Sequence, residues 1–310
     1  MFKYSKGAIF LEKKVKNGSK KKKRNGTKIL VLLWALVFFA IGFELFFRNE
    51  IKFITMDYLS RVSTCEIGKV ETKERLGMKT VALDEFLGYD NVSVNESLLL
   101  VNDKYRISEK YLPQTIYHQE REVEINVSAK ESYDELSEAL FQETGETLFI
   151  SSAYRDYEKQ KEIKSEEGET AQDPGCSEHQ TGLALDVFVK NFSGESFIKS
   201  PSGQFVNKNC GDYGFIIRYT SFGERRTGIP FEPWHLRYVG LPHSKIINES
   251  KMTFEDYIDF LQIGKFYTYE NYLITRQNTK NIFVPKSFHR AVVSEDNTGA
   301  VIITFKITEN

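Results

Sequence analysis

The chain has 310 residues, 41% hydrophobic and 27% charged, with 24 Phe and 16 Tyr. That much apolar material is enough for one substantial core with a small appendage, and an odd set of three cysteines excludes a disulfide framework. The formal net charge of -1 hides an asymmetry, because residues 1–28 hold eleven Lys or Arg against a single acid, Glu12.

A basic tract of this kind suits nucleic acid, but the segment that follows it argues for a membrane instead, and no nucleic-acid partner is expected. Residues 29–47 read Ile-Leu-Val-Leu-Leu-Trp-Ala-Leu-Val-Phe-Phe-Ala-Ile-Gly-Phe-Glu-Leu-Phe-Phe. At about 1.5 Å per residue they span about 28 Å, close to the hydrocarbon thickness of a bilayer. Their one charge, Glu44, lies near the far end, and no polar alternation suggests a buried core helix. Basic residues stay on the cytoplasmic side, and no Ala-x-Ala cleavage site follows. The expectation is a cytoplasmic tail over 1–28, an uncleaved single-pass anchor over 29–47, and the rest of the chain outside the cell membrane. Residues 48–97 mix charge and short apolar runs without a period and are expected to form a stalk.

From residue 98 the pattern becomes that of a folded domain. Leu98 to Val101 reads as a strand or extended arm packed on it. Ser128 with Glu131 predicts a capping box for a helix over 129–144, in which Ala129, Tyr133, Leu136 and Leu140 form one buried stripe, and Gly145 is its stop. A core strand is expected over 147–152, then a helix capped by Asp156 and running to about Glu167. Further strands are expected at 183–189, 214–219 and 234–239, a short helix over 204–211, and a last helix over 253–262. In the strand at 234–239, His235 and Arg237 share one face. After Gly264 the composition turns β-rich, and Asp296-Asn297-Thr298-Gly299 reads as a hairpin turn. The expected fold is α+β: helices on a small, mainly antiparallel sheet bearing a metal over residues 98–263, with a small β extension over 264–310.

The chemistry concentrates in two stretches. Gly175 to Asp186 contains His179 and Asp186, and Phe231-Glu232-Pro233-Trp234-His235 adds a second acid and a second imidazole. Two histidines and one carboxylate on a divalent ion leave a fourth position for water, the arrangement of a catalytic zinc site. The remaining acid, Glu232, is then the base that deprotonates that water. His243 follows a turn and His118 and His289 lack companions, so none is expected to be a ligand. Cys176 lacks a Cys-x-x-Cys partner, and whether it bonds to Cys210 stays open. The residues read as a zinc peptidase.

Together these motifs resemble a known family. Ser177, His179, Gly182, Ala184 and Asp186 match Ser-x-His-x-x-Gly-x-Ala-x-Asp, and Glu232 with His235 match Glu-x-x-His. Residues 152–160 and 213–219 look like two further blocks in the right order. The pattern is that of the VanY-type D-alanyl-D-alanine carboxypeptidases and their L,D-carboxypeptidase relatives, over roughly residues 98–248. The resemblance implies zinc held by His179, Asp186 and His235, Glu232 as base, and Arg155 facing the oxygen that becomes negative in the tetrahedral intermediate. It further implies Ser177 and Tyr154 as holders of the substrate terminus and Gln160 as a partner that orients the site. The implied substrate is a peptidoglycan stem peptide ending in D-Ala-D-Ala, whose trimming serves wall remodelling or glycopeptide resistance. An L,D-carboxypeptidase acting on tetrapeptides and a catalytically silent wall-binding module are the alternatives, and the intact set of ligands and base argues against the second.

Overall fold

The computed structural model describes residues 33–39, 65, 67–70, 77–278 and 280–307. A first unit, Met1–Lys52, contains a described helix over 33–39 with exposed side chains. No helix among the described residues is long and apolar enough to cross a membrane, and most of the anchor expected over 29–47 lies outside the described residues. All that follows concerns the second unit, Phe53–Asn310.

In chain order this unit begins with strands β1 (Gly68–Val70), β2 (Met78–Ala82) and β3 (Val92–Asn95), then the hairpin β4 (Thr115–His118) and β5 (Val123–Asn126). The helix Val127–Thr144 leads to β6 (Phe149–Ser152), and the helix Tyr157–Glu167 leads to β7 (Ala184–Phe188). The helix Pro201–Asn209 precedes β8 (Phe215–Ile217) and β9 (His235–Tyr238). Helices His243–Ser250 and Phe254–Phe260 then connect to β10 (Phe266–Tyr269), β11 (Tyr272–Gln277), β12 (Asn281–Pro285), β13 (Arg290–Glu295) and β14 (Val301–Lys306).

The smaller main sheet has the order β6-β7-β9-β8 and is antiparallel throughout. Its core is formed with the helix Val127–Thr144, whose Ala129, Tyr133, Leu136 and Leu140 are all fully buried with Leu185, Phe215 and Leu236. The stripe lies where the three- and four-residue spacing places it. The cap differs from the expected Ser128–Glu131 box. Asn126 leaves β5 in an extended conformation, so its short carboxamide reaches the Ser128 amide at 3.0 Å, and the helix begins before Ser128 can cap it. Gly145 ends the helix at φ 72°.

The β-rich C-terminal part is larger than an appendage. β10, β11, β14 and β13 form the middle of a six-stranded sheet, with β1 antiparallel at one edge and β3 parallel to β13 at the other. β2 pairs separately with β12. The expected stalk is therefore, over β1 to β3, part of the fold, because β1 and β3 edge the large sheet and β2 pairs with β12, each with a partner some two hundred residues away in the chain. The arm at Leu98–Val101 is buried without forming a regular strand. It is pinned by the Leu98 amide to Ser294 Oγ at 3.0 Å and the Leu100 amide to the Asp296 carbonyl at 3.3 Å. A shared apolar cluster joins Leu98, Ile216 and Val239 to Phe254, Tyr257, Tyr267 and Ile302, so the two sheets share a core.

Candidate active site

Register across the small sheet places the chemistry. Asp186 stands in the middle of β7, directly opposite Ser152 of β6 on one side and His235 of β9 on the other. Two of the suspected ligands are thus cross-strand neighbours, whose side chains share one face of the sheet. The third comes from the turn Glu178–Thr181, which ends at Gly182 with φ 66°. A Cβ on Gly182 would lie 3.0 Å from the Asn126 amide nitrogen, so glycine serves both the left-handed conformation and the close approach of the chain there.

His179, Asp186 and His235 offer ligand atoms that all lie within 4.8 Å of one another. His179 is buried and its Nδ1 lies 2.8 Å from the Ala153 carbonyl. A carbonyl only accepts, so Nδ1 carries the proton and Nε2 presents its lone pair to Asp186 Oδ2 at 3.2 Å. His235 faces the cluster through its other nitrogen, with Nδ1 3.1 Å from Asp186 Oδ1 and 3.6 Å from Glu232 Oε2.

These donors fit a divalent cation. Asp186 Oδ1 is buried and close to a ring nitrogen, yet makes no hydrogen bond, which is the arrangement of ligand atoms that converge on a common ion. Burial opposes the charged form of Asp186, but His179 and His235 hold its carboxyl well below the usual range. Burial likewise pushes His179 down. For His235 burial works in the same direction, but Asp186 and Glu178 override it and bring the imidazole up to about 9. Acidic groups thus face both ring nitrogens of His235, Asp186 on the Nδ1 side and Glu178 on the Nε2 side.

Glu232 is partly exposed, and its amide bonds the Tyr219 carbonyl at 3.0 Å while its own carbonyl accepts from the His235 amide at 3.2 Å. This turn carries the acid to the cluster. Burial raises the Glu232 carboxyl, helped by Asp186 and opposed by His235 and Arg155. A carboxylate shifted upward in this way is a better proton acceptor at neutral pH.

Arg155 follows β6. Its Nε donates to Ser152 Oγ at 2.9 Å, Nη1 to Gln160 Oε1 at 3.3 Å and Nη2 to Asp186 Oδ2 at 3.4 Å. Gln160 is 1% exposed and its Nε2 donates to the Gln172 carbonyl at 2.8 Å. Both ends of the Gln160 amide are engaged, so it orients Arg155 rather than meeting a substrate itself. Ser177 is buried immediately before the His179 turn. Tyr154 lies between Ala153 and Arg155, half-buried, with its amide bonded to the Glu124 carbonyl of the β4–β5 hairpin at 3.0 Å.

The remaining histidines lie elsewhere. His118 Nε2 pairs with Asp134 at 2.7 Å, and His243 bridges Tyr257 and Thr304 at 2.6 and 2.8 Å. Cys176 and Cys210 are buried free thiols that burial pushes up to about 11 and about 12.

Sequence reasoning missed the layer behind His235. Glu178, fully buried, accepts from Arg218 Nε and Arg237 Nη1, both at 2.8 Å. Burial opposes its charge, and the two guanidiniums hold its carboxyl well below the usual range. Arg218 also pairs with Glu255, and the Tyr219 ring centroid lies 4.9 Å from that of His235. The signal available beforehand was the shared face of His235 and Arg237 on β9.

Comparison with known proteins agrees with this geometry. The family model described as VanY, D-alanyl-D-alanine carboxypeptidase, matches residues 122–241, a span that holds all three clustered residues, Glu232 and Arg155. A D-alanyl-D-alanine carboxypeptidase of Enterococcus faecium is 30% identical over 308 residues, covering 89% of this chain and 95% of that protein. The bifunctional D-Ala-D-Ala dipeptidase and D-Ala-D-Ala carboxypeptidase VanXYC of Enterococcus gallinarum is 46% identical over 93 residues, 28% of this chain and 49% of that protein. Among solved structures, the vancomycin resistance D,D-dipeptidase VanXYg in complex with a D-Ala-D-Ala phosphinate analog superposes with a TM-score of 0.59 at 25% identity, covering 74% of this chain and 98% of the other. With the likeness to the Enterococcus faecium enzyme extending over 89% of this chain and the matched span enclosing the whole cluster, the chain belongs to the VanY family of D-alanyl-D-alanine carboxypeptidases.

Proposed function

We propose that this chain is a zinc-dependent D,D-carboxypeptidase that removes the terminal D-alanine from peptidoglycan stem peptides ending in D-Ala-D-Ala. It works outside the cell membrane, to which residues 29–47 tether it. The observation that carries the reading is the convergence of His179, Asp186 and His235, with Glu232 and Arg155 reaching the same cluster. The family's activity toward D-alanyl-D-alanine supports the substrate, and the apolar segment behind a basic tail supports the tether.

His179 Nε2, Asp186 and His235 Nδ1 would hold the ion. When bound, zinc acts as a Lewis acid and brings the pKa of water toward neutrality. Asp186 has its charge committed to the ion, so Glu232 is the residue free to take the proton from the attacking water and later pass it to the departing amine. Arg155 is preorganised by Ser152 and Gln160, so its guanidinium faces the scissile carbonyl oxygen without reorganising as negative charge develops there. Ser177 and Tyr154 hold the substrate's terminal carboxylate or amide.

Incubating the purified protein with pentapeptide and tetrapeptide stems tests this directly. D-alanine release from the pentapeptide is expected, and release from the tetrapeptide alone would reassign the chain to the L,D-carboxypeptidases.

A further inference from the structure

Glu178 has one oxygen fully committed and the other not. Oε1 takes both arginine bonds. Oε2 is buried without a hydrogen-bond partner and lies 3.9 Å from His235 Nε2, a buried ring nitrogen that also has none. The carboxylate cannot swing away to satisfy itself elsewhere, because its anchors are themselves held. Arg218 bonds Glu255 through both terminal nitrogens, and Arg237 bonds the carbonyls of Tyr238, Ser97 and Leu99. Glu178, Glu255, Arg218 and Arg237 balance one another in charge, and nothing in that balance requires a carboxylate oxygen to face an imidazole.

We propose that Glu178 is a positioning residue that fixes the tautomer and ring orientation of His235 for metal binding, an inference that rests on the zinc reading above. With a cation held beside Asp186 and Glu232, Nδ1 must keep its lone pair for the ion, so the one proton left on His235 sits on Nε2, where the Glu178 carboxylate can accept it. A closing movement of about 1 Å brings the pair to ordinary hydrogen-bond length. The two imidazoles are then presented by opposite nitrogens, each held from behind by a different acceptor: the Ala153 carbonyl for His179 and the Glu178 carboxylate for His235. Through Arg237 the same carboxylate is tied to the Ser97–Leu99 arm, and through Arg218 and Glu255 to the helix Phe254–Phe260.

Glu178→Gln tests this because glutamine keeps an oxygen for the arginines but turns an NH2 toward His235 Nε2, which favours the proton on Nδ1, the wrong nitrogen. Glu255→Gln perturbs the same buried network without touching His235. Zinc affinity of the full chain, measured by competition with a chromophoric chelator, is expected to weaken about 10- to 100-fold in Glu178→Gln and to stay within about threefold in Glu255→Gln. Glu178→Gln within about threefold of wild type, or equal weakening in both variants, overturns the proposal. A wild-type chain that takes up no zinc overturns the metal reading and this inference with it. Should Glu178→Gln not fold, the ¹⁵N shifts of His235 in the zinc-loaded wild type decide. A protonated Nε2 with a metal-shifted Nδ1 supports the proposal, and the reverse overturns it.

Discussion

The rings of His179 and His235 meet edge to face, centroids 5.0 Å apart and planes at 84°, and Asp186 reaches both of them. The turn that carries His179 and the strand that carries His235 are far apart in the chain, so this meeting is built by tertiary structure. Register fixes one half of it, Asp186 opposite His235, and the Ala153 carbonyl fixes the other.

Glu232 lies 3.6 Å from His235 Nδ1 and keeps some exposure. Replacing it with glutamine is expected to leave zinc bound while D-alanine release falls by about 10²–10⁴-fold, the usual worth of a general base. Metal analysis alongside release assays checks both halves, and unchanged turnover would remove Glu232 from that role.

Arg155 spreads three donor nitrogens over Ser152, Gln160 and Asp186. A lysine cannot reproduce that fork, so Arg155→Lys is expected to lower kcat about 10²–10³-fold with little change in thermal midpoint. Steady-state kinetics with the pentapeptide, beside a melting curve, separates the loss of transition-state stabilisation from a loss of fold.

His243 is buried between Tyr257 and Thr304, and burial pushes it down to about 3. Between that value and its ordinary pKa near 6.5, the unfolded chain binds a proton that the folded chain refuses. This residue's contribution to stability is therefore intact above about pH 6.5 and is lost as pH falls toward 3, by up to about 1.4 kcal/mol per pH unit. Denaturant midpoints between pH 7 and 4.5 are expected to fall more steeply in wild type than in His243→Gln.

Phe305 is fully buried in the cluster formed by the large sheet, with Phe266, Ile303 and Ala291. Phe305→Ala is expected to cost about 3–5 kcal/mol, read by urea denaturation. Removing residues 264–310 altogether takes β10 to β14 from the fold and Thr304 from His243, and is expected to leave no soluble domain rather than an intact catalytic core.

The small sheet, the helical stripe and the residues that make up the His–Asp cluster were legible because local pattern marks them. Ala129, Tyr133, Leu136 and Leu140 recur at helical spacing, and His179, Asp186, Glu232 and His235 sit in short stretches of distinctive composition. What was not legible depends on pairing between distant segments. β1 has three residues and β3 four, too short for a period to declare itself, and each acquires its role only from β10 or β13. The Asn126 cap escaped notice because Ser128 and Glu131 offered a stronger local signature, which the geometry of the chain leaving β5 overrode. Glu178 and Arg218 carry no spacing signal at all; their partnership exists only once the His179 turn lies against β8 and β9.

Metal content of the purified chain tests the central claim most directly. The account predicts one zinc per chain in wild type, stripped by a strong chelator together with D-alanine release and restored with it, and little or none in His179→Ala or His235→Ala. Full zinc retention by both variants, or pentapeptide hydrolysis that persists unchanged once the chain is metal-free, would contradict it.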